Sequence, residues 1–351
     1  MTSTGEAGPG EAAAQSMRIV IDEPHSMVSL LGSRDELLQV IEDTFDSDIH
    51  VRGNEITVTG SANEAAVIGA LFDELTRLVA SGTEVTADVV ERSVAMLRRR
   101  GGALPADVLT MDILSTRGRT IRPKTLNQKR YVDAIDKHTI VFAIGPAGTG
   151  KTYLAVAKAV KALQAKDVNR IILTRPAVEA GERLGFLPGT LYEKIDPYLR
   201  PLYDALHDMV DPDSIPRLLA AGTIEIAPLA YMRGRSLNDS FIILDEAQNT
   251  SAEQMKMFLT RLGFGSQIVV TGDVTQVDLP PGQVSGLRMI QDVLDGVPDV
   301  YFSKLTAHDV VRHKLVADIV NAYARYDAAK AAAGGGKQPP GRSRREASRD
   351  R

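Results

Sequence analysis

Residues 145–152 read GPAGTGKT, and this segment constrains the fold of the chain more than any other. It matches the pattern G-x-x-x-x-G-K-[ST] in full. The apolar run VFAI precedes it and the helical pattern KTYLAVAKAVKAL follows it. Glycines let such a loop curl until its N–H groups converge on phosphate oxygens, and the start of the helix adds partial positive charge. The segment therefore predicts a phosphate-binding loop in an α/β fold.

The loop also supplies two side chains with distinct chemistry. Lys151 is expected to meet the β- and γ-phosphates of a nucleotide, and the Thr152 hydroxyl is expected to ligate Mg²⁺. The residues predicted to bind the nucleotide are Gly145, Pro146, Ala147, Gly148, Thr149, Gly150, Lys151 and Thr152.

A second motif, FIILDEAQ at residues 241–248, places two carboxylates after an apolar strand. From this position Asp245 can hold the Mg²⁺ shell, and Glu246 can polarise a water for attack on the γ-phosphate. Asp245 lies 94 residues after Lys151, so several strands and helices can lie between the two motifs. The pair of motifs predicts hydrolysis of a nucleoside triphosphate, with Lys151 and Glu246 as catalytic residues.

Two glutamines are further candidates. Gln276 lies in TGDVTQ, after another apolar strand, where its amide could sense the γ-phosphate or orient water. Such strand ends meet at the carboxyl edge of a parallel sheet, where ligands bind. Gln128 lies in LNQ just before the first strand of the sheet, and its donor and acceptor suit an adenine edge.

The rest of the chain alternates between strand-like and helix-like segments. Six apolar runs, at 139–144, 170–174, 223–227, 240–244, 267–271 and 299–302, predict a parallel sheet covered on both faces within a domain at 125–330. Residues 17–100 predict a small α/β domain with a hairpin that turns at Gly53 and Asn54. Residues 101–124 are interpreted as a basic linker, and 1–16 and 331–351 as disordered.

Charge is distributed unevenly. The net charge is −4, although the tail from Lys337 to Arg351 has six basic and two acidic residues. Between Arg98 and Arg130 there are nine basic residues and two acidic ones. An acidic protein needs such a local patch to hold nucleic acid, so this segment is a candidate nucleic-acid surface. The absence of cysteine excludes disulfides and thiol nucleophiles.

The motif segments resemble the PhoH-like ATPase family and the first motor domain of superfamily 1 helicases. The segments are LNQKRYVDAI, GPAGTGKT, LTRPAVEAGERLGFLPG, DEAQNTS and TGDVTQVDLP, within residues 115–325. The resemblance implies a RecA-like P-loop NTPase fold, ATP and Mg²⁺, and a role in RNA metabolism. It also implies that Gln128 reads adenine and that Gln276 contacts the γ-phosphate. Some relatives form rings, and relatives are linked with an endoribonuclease of ribosome maturation.

The N-terminal domain resembles a KH-like fold. The KH module clamps RNA with a G-x-x-G loop. The matching stretch here, Leu31-Gly32-Ser33-Arg34-Asp35, has one glycine and an acidic residue. Direct clamping of RNA by this loop therefore does not follow from the resemblance.

One motor core per chain is expected, and no second domain of the chain is then expected to supply an arginine across the γ-phosphate. Arg312 and Arg235 are the candidates for a finger from a neighbouring subunit, with Arg312 preferred, and a homo-oligomeric ring is expected. Arg233 and Arg235 could instead touch RNA. Arg175 resembles the helicase residue that tracks a single strand.

The combined prediction is a cytoplasmic, Mg²⁺-dependent ATPase of RNA metabolism, in RNA processing, ribosome maturation or the stress response. The alternative is a nucleotide-binding RNA adaptor without significant turnover. A GTPase is disfavoured because the sequence contains no N-K-x-D segment. A membrane span is not expected, since no stretch approaches 18 apolar residues.

Overall fold

A computed structural model describes residues 15–22, 24–99, 103–176, 191–280 and 282–311, together with residues 316, 319, 322 and 325. By its contacts the chain divides into two units, Met1–Val310 and Val311–Arg351. The predicted disordered tail at 331–351 lies outside the described residues, as do residues 1–14 of the predicted disordered start.

The N-terminal part of the first unit is a three-stranded antiparallel sheet with helices packed on it. The strands are β1 (Gln15–Val20), β2 (Asp48–Arg52) and β3 (Glu55–Gly60), in the order β1-β3-β2. The helices are α1 (Pro24–Leu31), α2 (Glu36–Glu42), α3 (Ala62–Ala80) and α4 (Ala87–Leu97). The predicted hairpin is confirmed as β2 and β3, while β1 begins two residues inside the segment predicted as disordered. Helix α1 was not predicted.

Helix α3 illustrates how local sequence sets these elements. The Ser61 hydroxyl accepts a hydrogen bond from the backbone N–H of Glu64, which satisfies one of the free donors at the helix start. Its apolar face, including Ile68, Leu71 and Phe72, is buried in the core of the N-terminal domain. The helix therefore carries a capping residue and an apolar stripe at helical spacing, as its sequence predicts.

The segment interpreted as a basic linker is folded. It contains α5 (Pro105–Leu109) and a short antiparallel hairpin of β4 (Leu114–Thr116) and β5 (Arg119–Ile121). Val108 of α5 is buried in the N-terminal core, and Ile121 of the hairpin is buried in the core of the following domain. The buried Glu74 accepts a hydrogen bond of 2.8 Å from the N–H of Ala106. Apolar residues among the basic ones are thus buried against both cores and hold this segment in place.

The second part holds a six-stranded parallel sheet. Its strands are β6 (Ile140–Ile144), β7 (Arg170–Arg175), β8 (Ile224–Pro228), β9 (Ser240–Leu244), β10 (Gln267–Gly272) and β11 (Val300–Lys304). Its helices are α6 (Leu126–Ile135), α7 (Lys151–Ala165), α8 (Leu191–Met209), α9 (Ile215–Ala220), α10 (Ala252–Leu259) and α11 (Gly286–Val293). All six predicted apolar runs are confirmed as strands.

Alternate residues of each central strand face different cores. In β9, Phe241 and Ile243 belong to one hydrophobic cluster, and Ile242 and Leu244 belong to the other. Side chains alternate across a strand, so apolar residues at every position show that both faces of the sheet are covered. The apolar runs in the sequence are therefore continuous because both faces of these strands are buried.

The strand order is β11-β6-β10-β9-β7-β8, and every pairing is parallel. The strand before the phosphate loop, β6, is separated from the strand before the two carboxylates, β9, by β10. This arrangement confirms the predicted α/β fold of a RecA-like P-loop NTPase, preceded by a small domain with an antiparallel sheet. It also brings the loops after β6, β7, β9 and β10 to one edge.

None of the helices in the described ranges combines the length and the apolar character that crossing a membrane requires.

Candidate nucleotide-binding site

A cavity of about 260 Å³ opens at the carboxyl edge of the sheet. It lies where loops from three neighbouring strands meet, as expected for ligand sites in parallel sheets. Its lining residues are Ala147, Gly148, Gly150, Lys151, Thr152, Tyr153, Asp245, Glu246, Gly272 and Asp273. The structure thus brings together the phosphate loop, both carboxylates of the second motif and the start of the third.

The backbone of the phosphate loop depends on glycine at two points. Gly150 precedes α7 with φ of 76°, a left-handed conformation that side chains disfavour. Gly145 lies so close to β11 that an added Cβ would be 2.5 Å from the carbonyl oxygen of Leu305. The loop is therefore shaped by its own glycines and by the neighbouring strand.

Lys151 is buried at the base of this loop. Its Nζ donates hydrogen bonds to the carbonyl oxygens of Gly145 at 2.7 Å and Pro146 at 2.8 Å. Burial lowers the pKa of Lys151, while the charges of Asp273 and Glu246 oppose that shift. The ammonium group is held inside the loop, where phosphate oxygens of a bound nucleotide would be its natural partners.

Thr152 and Asp245 meet across the cavity, as the two motifs predict. The Thr152 hydroxyl donates a hydrogen bond of 2.6 Å to Asp245 Oδ1. The same oxygen accepts a hydrogen bond of 2.7 Å from the hydroxyl of Thr271, a residue the sequence analysis did not single out. The buried carboxylate is therefore fixed by two hydroxyl groups.

These oxygens fit Mg²⁺. Hydroxyl and carboxylate oxygens are the ligands that this ion prefers, and it is commonly held by one or two protein groups together with substrate phosphates. In the described ranges, no group of three or more His, Asp or Glu side chains could hold a metal on its own. A magnesium ion here would depend on the nucleotide for the rest of its shell.

Both carboxylate oxygens of Glu246 have partners. Oε1 lies 3.2 Å from Nη2 of Arg175, and Oε2 accepts a hydrogen bond of 2.5 Å from the Gln248 amide. The Arg175 guanidinium also donates a hydrogen bond of 3.0 Å to the carbonyl oxygen of Tyr198, and it lies 4.0 Å from Asp245. Arg175, a candidate for contact with a single strand, thus faces the two carboxylates in this structure.

Asp273 is a candidate that the sequence analysis passed over. It is buried, lines the cavity and accepts two hydrogen bonds at Oδ1 from Thr275. Its Oδ2 atom has no hydrogen-bond partner within the described part of the chain. Gln276, the residue selected from this segment, is exposed and does not line the cavity. The signal for Asp273 was its position directly after a buried strand.

Gln128 contacts the phosphate loop from the side. Its Nε2 donates a hydrogen bond of 3.0 Å to the carbonyl oxygen of Thr149 and one of 3.4 Å to that of Asp309. Its Oε1 accepts a hydrogen bond of 2.6 Å from the backbone N–H of Lys124. The amide is buried and hydrogen-bonded to backbone groups. To bind the edge of an adenine base, Gln128 would have to give up some of these hydrogen bonds.

The structure differs in what it shows for the three arginines that are candidates for RNA contact or for a γ-phosphate contact from a neighbouring subunit. Arg235 is paired with both carboxylate oxygens of Glu225, at 2.6 and 2.8 Å, and this pairing lowers the pKa of Glu225. Arg233 is exposed. Arg312 lies outside the described residues.

Comparison with known proteins assigns the family. The family model for PhoH-like proteins matches residues 120–324, which is more than half of the chain. A PhoH-like protein of Mycobacterium tuberculosis (strain ATCC 25618 / H37Rv) is 66% identical over 321 residues, covering 92% of this chain and 91% of that protein. The chain belongs to the PhoH-like protein family.

Two more distant relatives and one solved structure are also similar to this chain. A PhoH-like protein of Bacillus subtilis (strain 168) is 49% identical, covering 86% of this chain and 95% of its own length. Protein PhoH of Escherichia coli (strain K12) is 44% identical over 240 residues, 66% of each chain. A solved SWI2/SNF2 ATPase core from Sulfolobus solfataricus in complex with dsDNA aligns with a TM-score of only 0.29, at 18% identity over 42% of this chain and 31% of that one.

The family and the assembled phosphate site support nucleotide binding and ATPase activity.

Proposed function

We propose that this PhoH-like protein is a Mg²⁺-dependent ATPase that acts in RNA metabolism. The observation that carries the proposal is the contact between the two motifs. Thr152 and Asp245, 93 residues apart in sequence, are joined by a hydrogen bond of 2.6 Å at the edge of a cavity that Lys151 also lines. This is the arrangement of metal-holding and phosphate-holding groups that a P-loop ATPase needs.

The roles of the residues follow from their positions. Thr152 and Asp245 would hold the ion, Lys151 would exchange its carbonyl partners for phosphate oxygens, and Glu246 would accept a proton from the attacking water. Mg²⁺, when bound, acts as a Lewis acid that neutralises charge on the phosphates. Asp273, which follows β10, also lines this cavity, and its Oδ2 atom has no hydrogen-bond partner in the described part of the chain. Gln276 and Gln128 remain candidates for γ-phosphate and adenine contacts.

RNA is proposed as the partner because of the basic residues between Arg98 and Arg130. Their charge contrasts with the overall acidity of the chain, and nucleic acid affinity depends on such local clusters. The proposal includes RNA processing, ribosome maturation or the stress response as the setting, a cytoplasmic location, a homo-oligomeric ring and an endoribonuclease partner.

One observation favours a second candidate, a nucleotide-binding adaptor without significant turnover. Both carboxylate oxygens of Glu246 are taken up by Arg175 and Gln248. Each of these partners competes with the attacking water for the carboxylate, although lone pairs remain on both oxygens. Slow or absent turnover would follow if these contacts persist when ATP is bound.

Measurements of ATP turnover and of ATP binding distinguish the ATPase from the nucleotide-binding adaptor. Glu246→Gln should keep ATP binding and lose turnover by roughly 10²–10⁴-fold, since the amide keeps the shape of the side chain and cannot act as the base. Lys151→Ala should lose turnover as well, because it removes the cation from the phosphate loop. The measurements are phosphate release, with Mg²⁺ or with a chelator and with or without RNA, and binding of a fluorescent ATP analogue.

Glu253→Gln is the matched control, since Glu253 is exposed on α10 and does not line the cavity. It should behave as the wild type. Wild-type turnover in Lys151→Ala would contradict the assignment of the site. Tight ATP binding by the wild type, with no turnover under any of these conditions, would favour the adaptor.

A further inference from the structure

A second cavity lies between helix α4 of the N-terminal domain and the segment that leads into α6. Its volume is about 400 Å³. Arg98 and Arg99 line it on one side, and Lys124 and His308 line it on the other. We refer to it as the α4–α6 groove. It is separate from the nucleotide site, since the two cavities share no lining residue.

Three cations of the groove are not neutralised by an acid of the described ranges. Arg99 and Lys124 are exposed, and neither has an ion-pair partner in that part of the chain. Arg98 donates a hydrogen bond of 2.7 Å to the carbonyl oxygen of Thr44, and its guanidinium lies 4.9 Å from the centre of the Phe45 ring. These contacts orient Arg98 without cancelling its charge.

One carboxylate, that of Asp309, lines the groove. It is buried and accepts hydrogen bonds from the side chains of Thr125 at 2.7 Å and Asn127 at 2.9 Å, which orient it without cancelling its charge. Asp88, on the same helix as Arg92, lies outside the lining and is paired with Arg92 at 2.8 Å. The three unpaired cations outnumber the single carboxylate, so the groove has an excess of positive charge.

The remaining basic residues of the same segment are placed differently. On the β4–β5 hairpin, Arg122 donates a hydrogen bond of 2.6 Å to Asp112, and Arg117 lies 3.7 Å from Asp211. Ion pairs of this kind leave less charge available to a ligand. Two of the three hairpin arginines are therefore paired, whereas Arg119 is exposed without an ion pair in the described part of the chain. In the groove, unpaired cations lie on both sides of one cavity.

The groove is also connected with the nucleotide site. The backbone N–H of Lys124 donates a hydrogen bond of 2.6 Å to Gln128 Oε1, and Gln128 Nε2 donates one of 3.0 Å to the carbonyl oxygen of Thr149. A residue that lines the groove is therefore two hydrogen bonds from the phosphate loop.

We propose that the α4–α6 groove binds the phosphate backbone of single-stranded RNA, with Arg99 and Lys124 as phosphate contacts. Unpaired cations on both sides of one groove match a chain that carries a negative charge at every nucleotide. The cavity has the volume of a cleft for a small ligand, so a single strand can enter it whereas a double helix could only lie across its mouth. The inference rests on the proposed function, because it assigns a surface to the RNA of that proposal.

The test uses the full-length protein and a labelled single-stranded oligouridylate, with fluorescence anisotropy measured over a series of salt concentrations. The double variant Arg99→Ala/Lys124→Ala should bind more weakly. The slope of log K against log salt should fall by about 0.7 for each phosphate that the variant no longer neutralises. ATP turnover without RNA and the melting temperature should stay at wild-type values, since neither side chain lines the nucleotide site or belongs to a core.

The matched control is Arg117→Ala/Arg122→Ala, which removes the same charge from the hairpin at two cations that are paired with Asp211 and Asp112. It should change affinity and slope less than the groove variant does. An unchanged slope in the groove variant, or a larger loss of affinity in the hairpin variant, would overturn the groove assignment while the RNA role stands. Absence of RNA binding by the wild type would instead overturn the RNA role itself, and the groove assignment with it.

Discussion

At the scale of single residues, the most informative contact joins Arg175 to Glu246. Arg175 ends β7 and Glu246 lies two residues after the end of the neighbouring strand β9, and a separation of 3.2 Å makes them an ion pair at the site. Glu246 also has a left-handed backbone, with φ of 51°. Such backbone conformations in a residue other than glycine persist only where the surroundings hold them. The candidate base is thus held by its backbone, by Gln248 and by Arg175.

We predict that Arg175→Gln raises ATP turnover in the absence of RNA. Removing the cation takes away a group that competes with water for Oε1 of Glu246. The expected rise in kcat is about two- to fivefold, because partly exposed ion pairs contribute ~1 kcal/mol or less. Steady-state phosphate release gives kcat, and titration with a fluorescent ATP analogue shows whether affinity has changed.

Arg170→Gln is the control for this prediction. Arg170 begins the same strand, and its Nε donates a hydrogen bond of 3.0 Å to the Ser240 hydroxyl, away from both carboxylates of the site. Its kcat should match that of the wild type. A fall in kcat on Arg175→Gln, with ATP affinity unchanged, would show that Arg175 assists the reaction instead of restraining Glu246.

At the scale of elements, the phosphate loop depends on the strand beside it. The N–H of Leu305, which follows β11, donates a hydrogen bond of 2.8 Å to the carbonyl oxygen of Ile144. The N–H of Gly145 donates one of 3.1 Å to the carbonyl oxygen of Gly272. The start of the loop is therefore fixed by the segments that follow β11 and β10, and not by its own sequence alone.

Gly145→Ala should weaken both stability and ATP binding. The new methyl group would lie 2.5 Å from the carbonyl oxygen of Leu305, a distance at which backbone has to shift. Overpacking of this kind costs about 1–3 kcal/mol. Thermal unfolding and titration with a fluorescent ATP analogue measure the two effects.

Ala147→Ser is the comparison, since it also adds one atom to the loop but at an exposed position. Its melting temperature should remain close to that of the wild type. Equal melting temperatures for Gly145→Ala and the wild type would show that the backbone at Leu305 moves to accommodate the methyl group without loss of stability.

At the scale of the whole molecule, the described residues contain one motor core. A cation across the γ-phosphate can increase the rate by roughly 10³–10⁵-fold, and a neighbouring subunit of a ring could supply it. Arg235 is less suited to that role, because its guanidinium is paired with Glu225. Arg312 remains the preferred candidate from the sequence.

Mixing of inactive subunits tests this assembly. Lys151→Ala keeps its arginines, and Arg312→Ala keeps its phosphate loop. If the finger acts between subunits, mixed oligomers should regain turnover that neither variant shows alone. Light scattering during turnover establishes that oligomers are present. A monomer under these conditions, or verified mixed oligomers without recovery, would count against Arg312 as a finger between subunits.

The sequence by itself determined the local units of this protein. A loop motif between an apolar run and a helical pattern specified the phosphate loop, and continuous apolar runs specified buried parallel strands. The sequence identified four site residues because each belongs to a motif of adjacent residues whose chemistry is known from the motif alone: Lys151, Thr152, Asp245 and Glu246. The six strands were predicted for the same reason, since burial on both faces leaves a signature in each run.

Only the tertiary structure decided which distant groups meet. The strand order places β10 beside β6 and β9 beside β7, and no local pattern encodes that order. It is this order that presents Asp273 to the cavity and sets Arg175 against Glu246. Packing likewise folded residues 103–124 onto two cores and divided the basic residues between a groove and a hairpin. Charge and polarity along the chain predicted that a site and a basic surface exist, whereas long-range packing determined which residues form them.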